Sequence, residues 1–419
     1  MTNVLRHLTS DARLLFASRF IRLFAYGALS VVLVFYLVGL GLSESQTGLL
    51  LTLTLAGDTL VSLVLTTQAD RIGRKRMLLI GAVLMIAAGV AFAFTASFAL
   101  LVIAGTIGVI SPSGNEVGPF LPIEQAALSQ VVPDRDRTDV FAWYTLGGAL
   151  ATAIGALAAG TITQALQRTT TTPLGSYRVI VVMYACAGAA LAIIFAALSR
   201  AAEVAGRTAP AGRPTTFKGL AGLGRSQSVV LKLSALFALD SFGGGFVIQS
   251  LAAYWFYLRF GVEPRTLGAL FFGANVLAGL SALVASRIAS RIGLLNTMVM
   301  THLPSNVLLI LVPLMPTLPL AAAVLLARFS ISQMDVPTRQ SYTMAVVAPD
   351  ERSAAAGITG VARTLGASLS PMIAGYLFAH ASMIDVPFYL AGGLKIGYDL
   401  LLFRAFQATR PFIGESRAE

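Results

Sequence analysis

Apolar runs about as long as a membrane-crossing helix recur along nearly the whole chain, separated by short polar breaks. They lie at 14–39, 46–68, 77–95, 99–130, 138–166, 178–199, 229–257, 265–288, 295–315, 318–346, 353–380 and 385–408. Each spans a hydrocarbon core as a helix, so the expectation is an all-α integral membrane fold of twelve transmembrane helices. The one long interruption, 200–228, is rich in Pro, Gly and Arg and cannot bury a core; it reads as a cytoplasmic linker. It separates two six-helix bundles, 1–199 and 229–419.

Composition agrees. Of 419 residues, 56% are hydrophobic and 12% charged, and the mean hydropathy is +0.78. A soluble chain carries about 25% charge. The first residues are polar (Thr2, Asn3, Arg6, Thr9, Asp11) and no cleavage site follows, so the first span acts as the signal. The net charge of +11 does not indicate nucleic acid, because the basic residues fill alternate loops. Arg71, Arg74, Lys75 and Arg76 follow span 2, Arg135 and Arg137 follow span 4, and Arg200 to Arg225 populate the linker. Arg287 and Arg291 follow span 8, Arg352 precedes span 11, and Arg410 and Arg417 close the chain. The intervening loops are short and poor in Lys and Arg. This distribution places a multi-pass protein in the inner (plasma) membrane with both termini cytoplasmic. Cys186 stands alone, and His7, His302 and His380 are far apart, so neither a disulfide framework nor a His/Cys metal site is expected. No cofactor is implied.

The basic turn Ala69-Asp70-Arg71-Ile72-Gly73-Arg74-Lys75-Arg76 is echoed by Ala289-Ser290-Arg291-Ile292-Gly293. Pro122-Ile123-Glu124-Gln125 matches Pro337-Thr338-Arg339-Gln340, and Val131-Val132-Pro133-Asp134 matches Val347-Ala348-Pro349-Asp350, both about 215 residues on. The chain is doubled. Doubled polytopic chains are usually transporters with the substrate between the halves.

On these residues the chain resembles the major facilitator superfamily. The family's signature Gly-x-x-x-Asp-Arg-x-Gly-Arg-Arg/Lys between spans 2 and 3 corresponds to 66–75, with Thr66 in place of the leading glycine. The resemblance implies a 6+6 fold with alternating access. It also implies a gating motif of Asp70, Arg71, Gly73 and Arg74, with Asp70 and Arg74 latching the cytoplasmic gate; the start of span 11, Glu351-Arg352-Ser353, is a candidate dock. Gly366-Ala367-Ser368-Leu369-Ser370-Pro371 in span 11 is similar to an element that antiporters of the family carry in span 5, where this chain lacks the proline.

Ionisable groups inside spans are costly and mark function. Span 4 packs Pro112, Pro119, Pro122, Gly114, Gly118, Asn115, Glu116 and Glu124 into one segment, which predicts a broken helix lining a path. Span 10 carries Arg328, Ser332, Asp335 and Arg339 at steps that share one helix face, with Asp335 and Arg339 as an ion pair. Span 1 carries Arg19, Arg22, Tyr26 and Ser30; its arginines either face inward or snorkel. Span 2 carries Thr54, Asp58 and Ser62. Span 7 carries Asp240 before three glycines, then Gln249, and ends in Tyr254 to Tyr257, an expected interfacial belt. The expected substrate and proton pathway comprises Arg22, Tyr26, Asp58, Asn115, Glu116, Glu124, Asp240, Gln249, Asp335 and Arg339. One or more of Asp58, Glu116, Asp240 and Asp335 is expected to hold the coupling proton.

The leading expectation is a monomeric secondary transporter moving a small molecule by proton-coupled efflux (antiport), with small-molecule substrate, protons and lipid bilayer as partners and no nucleic acid. A phosphate-binding Gly-x-x-x-x-Gly-Lys-Ser/Thr loop is missing from the sequence, which disfavours ATP as the driver. The alternatives are a proton-independent uniporter or an organic or inorganic anion exchanger using Arg19, Arg22, Arg328 and Arg339. From another class come a non-transporting membrane sensor or an integral-membrane enzyme. The sequence shows neither a His-rich motif nor Gly-x-Ser-x-Gly for the latter.

Overall fold

The computed structural model describes residues 8–116, 118–133, 136–169, 171–203 and 223–407. Residues 204–222 of the expected linker, and Val117, Asp134, Arg135, Arg410 and Arg417, lie outside them.

Among the described residues the structure is helical, without strands. The helices are α1 (Ser10–Gly39), α2 (Glu44–Ile72), α3 (Arg74–Phe94), α4 (Phe98–Ile107), α5 (Phe120–Val131), α6 (Arg137–Gln167), α7 (Pro173–Ala196) and α8 (Gln227–Gly245). They continue as α9 (Gln249–Phe260), α10 (Pro264–Ile292), α11 (Leu294–Leu311), α12 (Leu318–Phe329), α13 (Asp335–Ala345), α14 (Arg352–Phe378) and α15 (Val386–Phe406). They make up the twelve expected spans, with spans 4, 7 and 10 each split in two. Among the described residues, nine helical stretches are long and apolar enough to cross a membrane, and the shorter Phe98–Ile107 and Leu318–Phe329 are the first pieces of split spans.

Local chemistry sets the ends. Ser43 and Gln46 form a reciprocal capping box at the start of α2. Thr172 caps α7, and Pro173 takes its first position, where a missing N–H is harmless. The two copies of the basic turn use the same device. Gly73 (φ 117°) and Gly293 (φ 85°) adopt a backbone region that a side chain disfavours, and so each reverses the chain within one residue.

Span 4 breaks over 108–119, as its prolines and glycines require. Side chains donate to three of the carbonyls in the break. Tyr184 donates to Val109 O (2.7 Å), Ser111 to Asn115 O (2.7 Å) and Ser62 to Gly118 O (3.0 Å). Span 10 departs from the expected continuous face. Pro337 has no N–H to return to residue 333, so the chain turns over 330–334 and a new helix begins at Asp335. Arg328 ends α12, whereas Asp335 and Arg339 open α13. The aromatic run ending span 7 is also mostly interior: Tyr254, Trp255 and Phe256 are buried, leaving Tyr257 exposed.

The chain divides into two compact units. The first comprises Met1–Arg207, Ile248–Val276 and Pro371–Ile384. Segments from both sequence halves meet in it, at the end bearing the loops poor in Lys and Arg. Gly48 lies against Gly375 and Gly160 against Gly268, where a Cβ would strike backbone. Gly268 is about 220 residues beyond Gly48, and Gly375 about 215 beyond Gly160, so each glycine meets the repeat of the other. Tyr254 donates to Glu44 Oε1 (2.9 Å), and Thr52 Oγ1 accepts from Met372 N (3.0 Å). The second unit comprises Thr208–Val247, Leu277–Ser370 and Asp385–Glu419. Leu233, Phe237, Met298, Tyr342, Tyr398 and Leu402 are among its core residues.

Candidate functional site

In the first unit, α1 presents Arg19 and Arg22 to the two carboxylates of span 4. Arg22, fully buried, grips Glu124 with Nη1 to Oε1 at 2.6 Å and Nη2 to Oε2 at 2.7 Å, and its Nε donates to Glu116 Oε1 at 2.7 Å. Arg19 Nη1 lies 3.1 Å from Glu116 Oε2. Ser18 donates to Glu124 Oε1 (2.7 Å), and the Tyr144 hydroxyl donates to Glu124 Oε2. The guanidinium of Arg19 sits 4.5 Å from the Tyr144 ring centre, and that of Arg22 sits 4.8 Å from the Phe120 ring centre. These arginines do not snorkel. Two cations meet two anions, and the cluster is neutral as built. A fork-on-carboxylate pair in a low-dielectric interior is rigid, because losing either partner strands a charge.

Asp58 on α2 differs. It is 7% exposed, yet its carboxylate accepts only the Gly118 backbone N–H (Oδ2, 3.1 Å), and Oδ1 has no partner among the described residues. No described cation pairs with it. Tyr26 is buried and stacks on Tyr184 with ring centres 6.3 Å apart. Asn115 is exposed. Gln249 belongs to the packing of this unit: it donates to Ser30 Oγ (2.8 Å) and accepts from Asn275 (3.0 Å).

In the second unit, Asp240 on α8 is the hub. Lys395 of α15 donates to its Oδ1 at 2.6 Å and Arg339 of α13 to its Oδ2 at 2.9 Å; Arg339 also lies 3.3 Å from Asp335. His302 of α11 stands with Nε2 3.7 Å from Asp240 and Nδ1 2.8 Å from Asp399 of α15. Asn306 donates to the other Asp399 oxygen at 2.9 Å. The sequence offered no neighbouring cation for Asp240, and the structure supplies three groups. In the sequence His302 reads as one of three scattered histidines, and Asn306, Lys395 and Asp399 stand far from Asp240, although His302/Asn306 and Lys395/Asp399 each recur at i,i+4 inside an apolar helix. Asp240, His302 and Asp335 offer ligand atoms within 4.8 Å of one another. Lys395 and Arg339 already neutralise those carboxylates, so a metal ion there would face two fixed positive charges.

At the basic turn, Arg74 is buried, bonded through Nε to Asp70 Oδ1 (2.9 Å) and through Nη1 to Ala126 O (3.1 Å). The Asp70 side chain is 69% exposed. Arg71 is exposed. Glu203 caps the start of α3, accepting from Arg74 N (2.8 Å) and Lys75 N (3.1 Å). Glu351 does the same in the second unit, accepting from Gly224, Arg225 and Ser226 N, each at 2.9 Å. Burial alone would raise its carboxyl, but those backbone donors more than offset it and hold it below the ordinary glutamate value.

Comparison with known proteins adds a lineage. A model of the Major Facilitator Superfamily matches residues 15–334. The uncharacterised membrane protein YJR124C of Saccharomyces cerevisiae is 32% identical, over 94% of this chain and 93% of its own. A bacterial homologue of the human lysosomal transporter Spinster, inward-facing and unoccupied, has a TM-score of 0.74 at 16% identity, covering 96% of this chain and 98% of its own. The nucleoside transporter NupG gives 0.70 at 15% identity, over 96% and 99%. A D-xylose–proton symporter gives 0.70 at 16%, over 94% and 97%. At such identities the solved structures share the fold.

Proposed function

The chain belongs to the Major Facilitator Superfamily and is a secondary transporter rather than an enzyme, and we propose from that premise that inward proton flow drives export of its small-molecule substrate. The observation that carries the proton reading is Asp58. An ionised carboxylate buried beside a single backbone N–H is expensive, and a bound proton is the simplest relief. The other three candidate acids are each matched to cations: Glu116 to Arg19 and Arg22, Asp335 to Arg339, Asp240 to Arg339 and Lys395. Asp58 is thus the coupling group we favour, with Tyr26 beside it on the pathway.

Exchange rather than cotransport is supported by the antiporter-like element of span 11. In α14 its Gly366 sits directly on the Ala238 backbone and its Ser370 donates to Phe242 O, so it clamps α14 to α8. The working cycle we propose alternates access between the halves 1–199 and 229–419. Asp70, Arg71, Gly73 and Arg74 gate it at the cytoplasmic end, both termini face the cytoplasm of an inner membrane, and the protein acts as a monomer.

The test is Asp58→Asn. The amide still accepts the Gly118 N–H and cannot gain or lose a proton. Proteoliposomes adsorbed on a solid-supported membrane receive a pH jump without substrate. The wild type is expected to give a charge-displacement current, and D58N to lose it while keeping its elution profile. Equal currents in the two proteins would refute proton coupling at Asp58.

A further inference from the structure

The second unit holds cations that its carboxylates do not use. Arg339 and Lys395 are taken up by Asp240 and Asp335. Arg328, ending α12, and Arg363, on α14, are not: neither makes an ion pair or hydrogen bond with a described residue, and the Nε of each is sealed from solvent. Both lie within electrostatic reach of Asp240 and Asp335, and Arg363 within that of Arg339 and Tyr398, so they serve one neighbourhood. The buried hydroxyls of Ser332, whose backbone N–H bonds to Arg328 O, and of Tyr398 also lack a partner among the described residues. All four groups can donate. Set against Asp240, Asp335 and Asp399, the cations Arg328, Arg339, Arg363 and Lys395 leave the cluster net positive even with His302 neutral. Half-buried guanidiniums without a carboxylate of their own, in a neighbourhood of net positive charge with unused donors, suit an anion.

We propose that Arg328 and Arg363 bind an anionic group, a carboxylate or a phosphate, of the transported substrate. The planar guanidinium matches both oxyanions, with two parallel N–H donors. Of the four arginines the sequence suggested for an anion site, Arg19, Arg22 and Arg339 are neutralised by their own carboxylates. Arg328 remains, and Arg363, three residues before the antiporter-like element of span 11, joins it. Ser332 and Tyr398 supply the neutral donors that set the orientation. The inference rests on the chain being a transporter, and does not require proton coupling.

The experiment uses the full chain in phosphatidylcholine nanodiscs, with unfolding followed by tryptophan fluorescence. The probes are inorganic phosphate and succinate, with glucose and choline as neutral and cationic controls. Phosphate or succinate is expected to raise Tm in a saturable way, and the controls to leave it unchanged. R328Q and R363Q are each expected to weaken that binding about tenfold or more, the effect of losing one charge-assisted contact. R178Q, at an exposed position of α7, keeps wild-type affinity. If a Gln variant does not fold, R328K or R363K is read instead, since it keeps the charge and loses the fork. No response to either anion, or unchanged affinity in the variants, overturns the site. Nanodiscs containing phosphatidylglycerol separate the sources: if that lipid abolishes the phosphate response, the occupant is a headgroup and the substrate assignment falls. No pH gradient enters the assay, so its failure is distinct from a failure at Asp58.

Discussion

Five acids within the spans read alike in the sequence and differ in the fold. Glu124 and Glu116 are locked to α1 arginines, Asp240 and Asp335 to Arg339, and Asp58 to a backbone N–H alone. The difference lies in what each faces across the bundle, which linear spacing cannot express. For all but Asp335, partners 60 to 155 residues away decide it. The i,i+4 pair Asp335/Arg339 is local and was legible; Lys395 on Asp240 was not. Glu124 makes the clearest residue-scale prediction. Glu124→Gln removes one charge from a buried bidentate pair and weakens its grip on Arg22. It should destabilise the fold by about 3–5 kcal/mol, seen as a marked drop in Tm in detergent. A Tm within one or two degrees of wild type would mean that Arg22 is satisfied by Glu116 alone.

Helix ends and breaks were mostly readable, because they follow from residues whose backbone chemistry is special. Gly73 and Gly293 turn the chain, Ser43 with Gln46 caps it, and Pro112 and Pro119 split span 4. Span 10 shows the limit of periodicity. Charged residues at steps of four, three and four suggested one face, but Pro337 outweighs the pattern and divides the helix. The glycine crossings were half legible: small residues advertise close approach, and nothing in the sequence says that Gly48 meets Gly375 or Gly160 meets Gly268. Gly268→Leu tests these crossings. It should cost about 1–3 kcal/mol against the packed state, enough to raise the opened population about tenfold. In a Cys186→Ala background, Ser30→Cys reports it, since Ser30 is fully buried and bonded to Gln249. A membrane-impermeant maleimide should label the Gly268→Leu protein faster; identical rates would show that the crossing does not seal that end.

The whole molecule is a doubled chain whose copies share their punctuation but not their chemistry. Both basic turns hinge on glycine, and spans 4 and 10 both break. The first unit keeps a neutral cluster of two arginines and two glutamates beside one unmatched acid, and the second keeps an excess of cations. That asymmetry suits a transporter with a proton site and an anion site built from different residues. Membrane class and doubling were plain from hydropathy and the repeated motifs. The division of labour between clusters emerges only with the fold.

The central claim is that proton binding at Asp58 shifts the protein between two access states. Spin labels at Ile72→Cys and Ile292→Cys, exposed positions in the two basic turns, report it by pulsed electron–electron resonance in a Cys186→Ala background. Two distance populations are expected, their ratio changing with pH in the wild type and insensitive to pH in D58N. A single distance at every pH, or an unaltered pH response in D58N, would contradict the account.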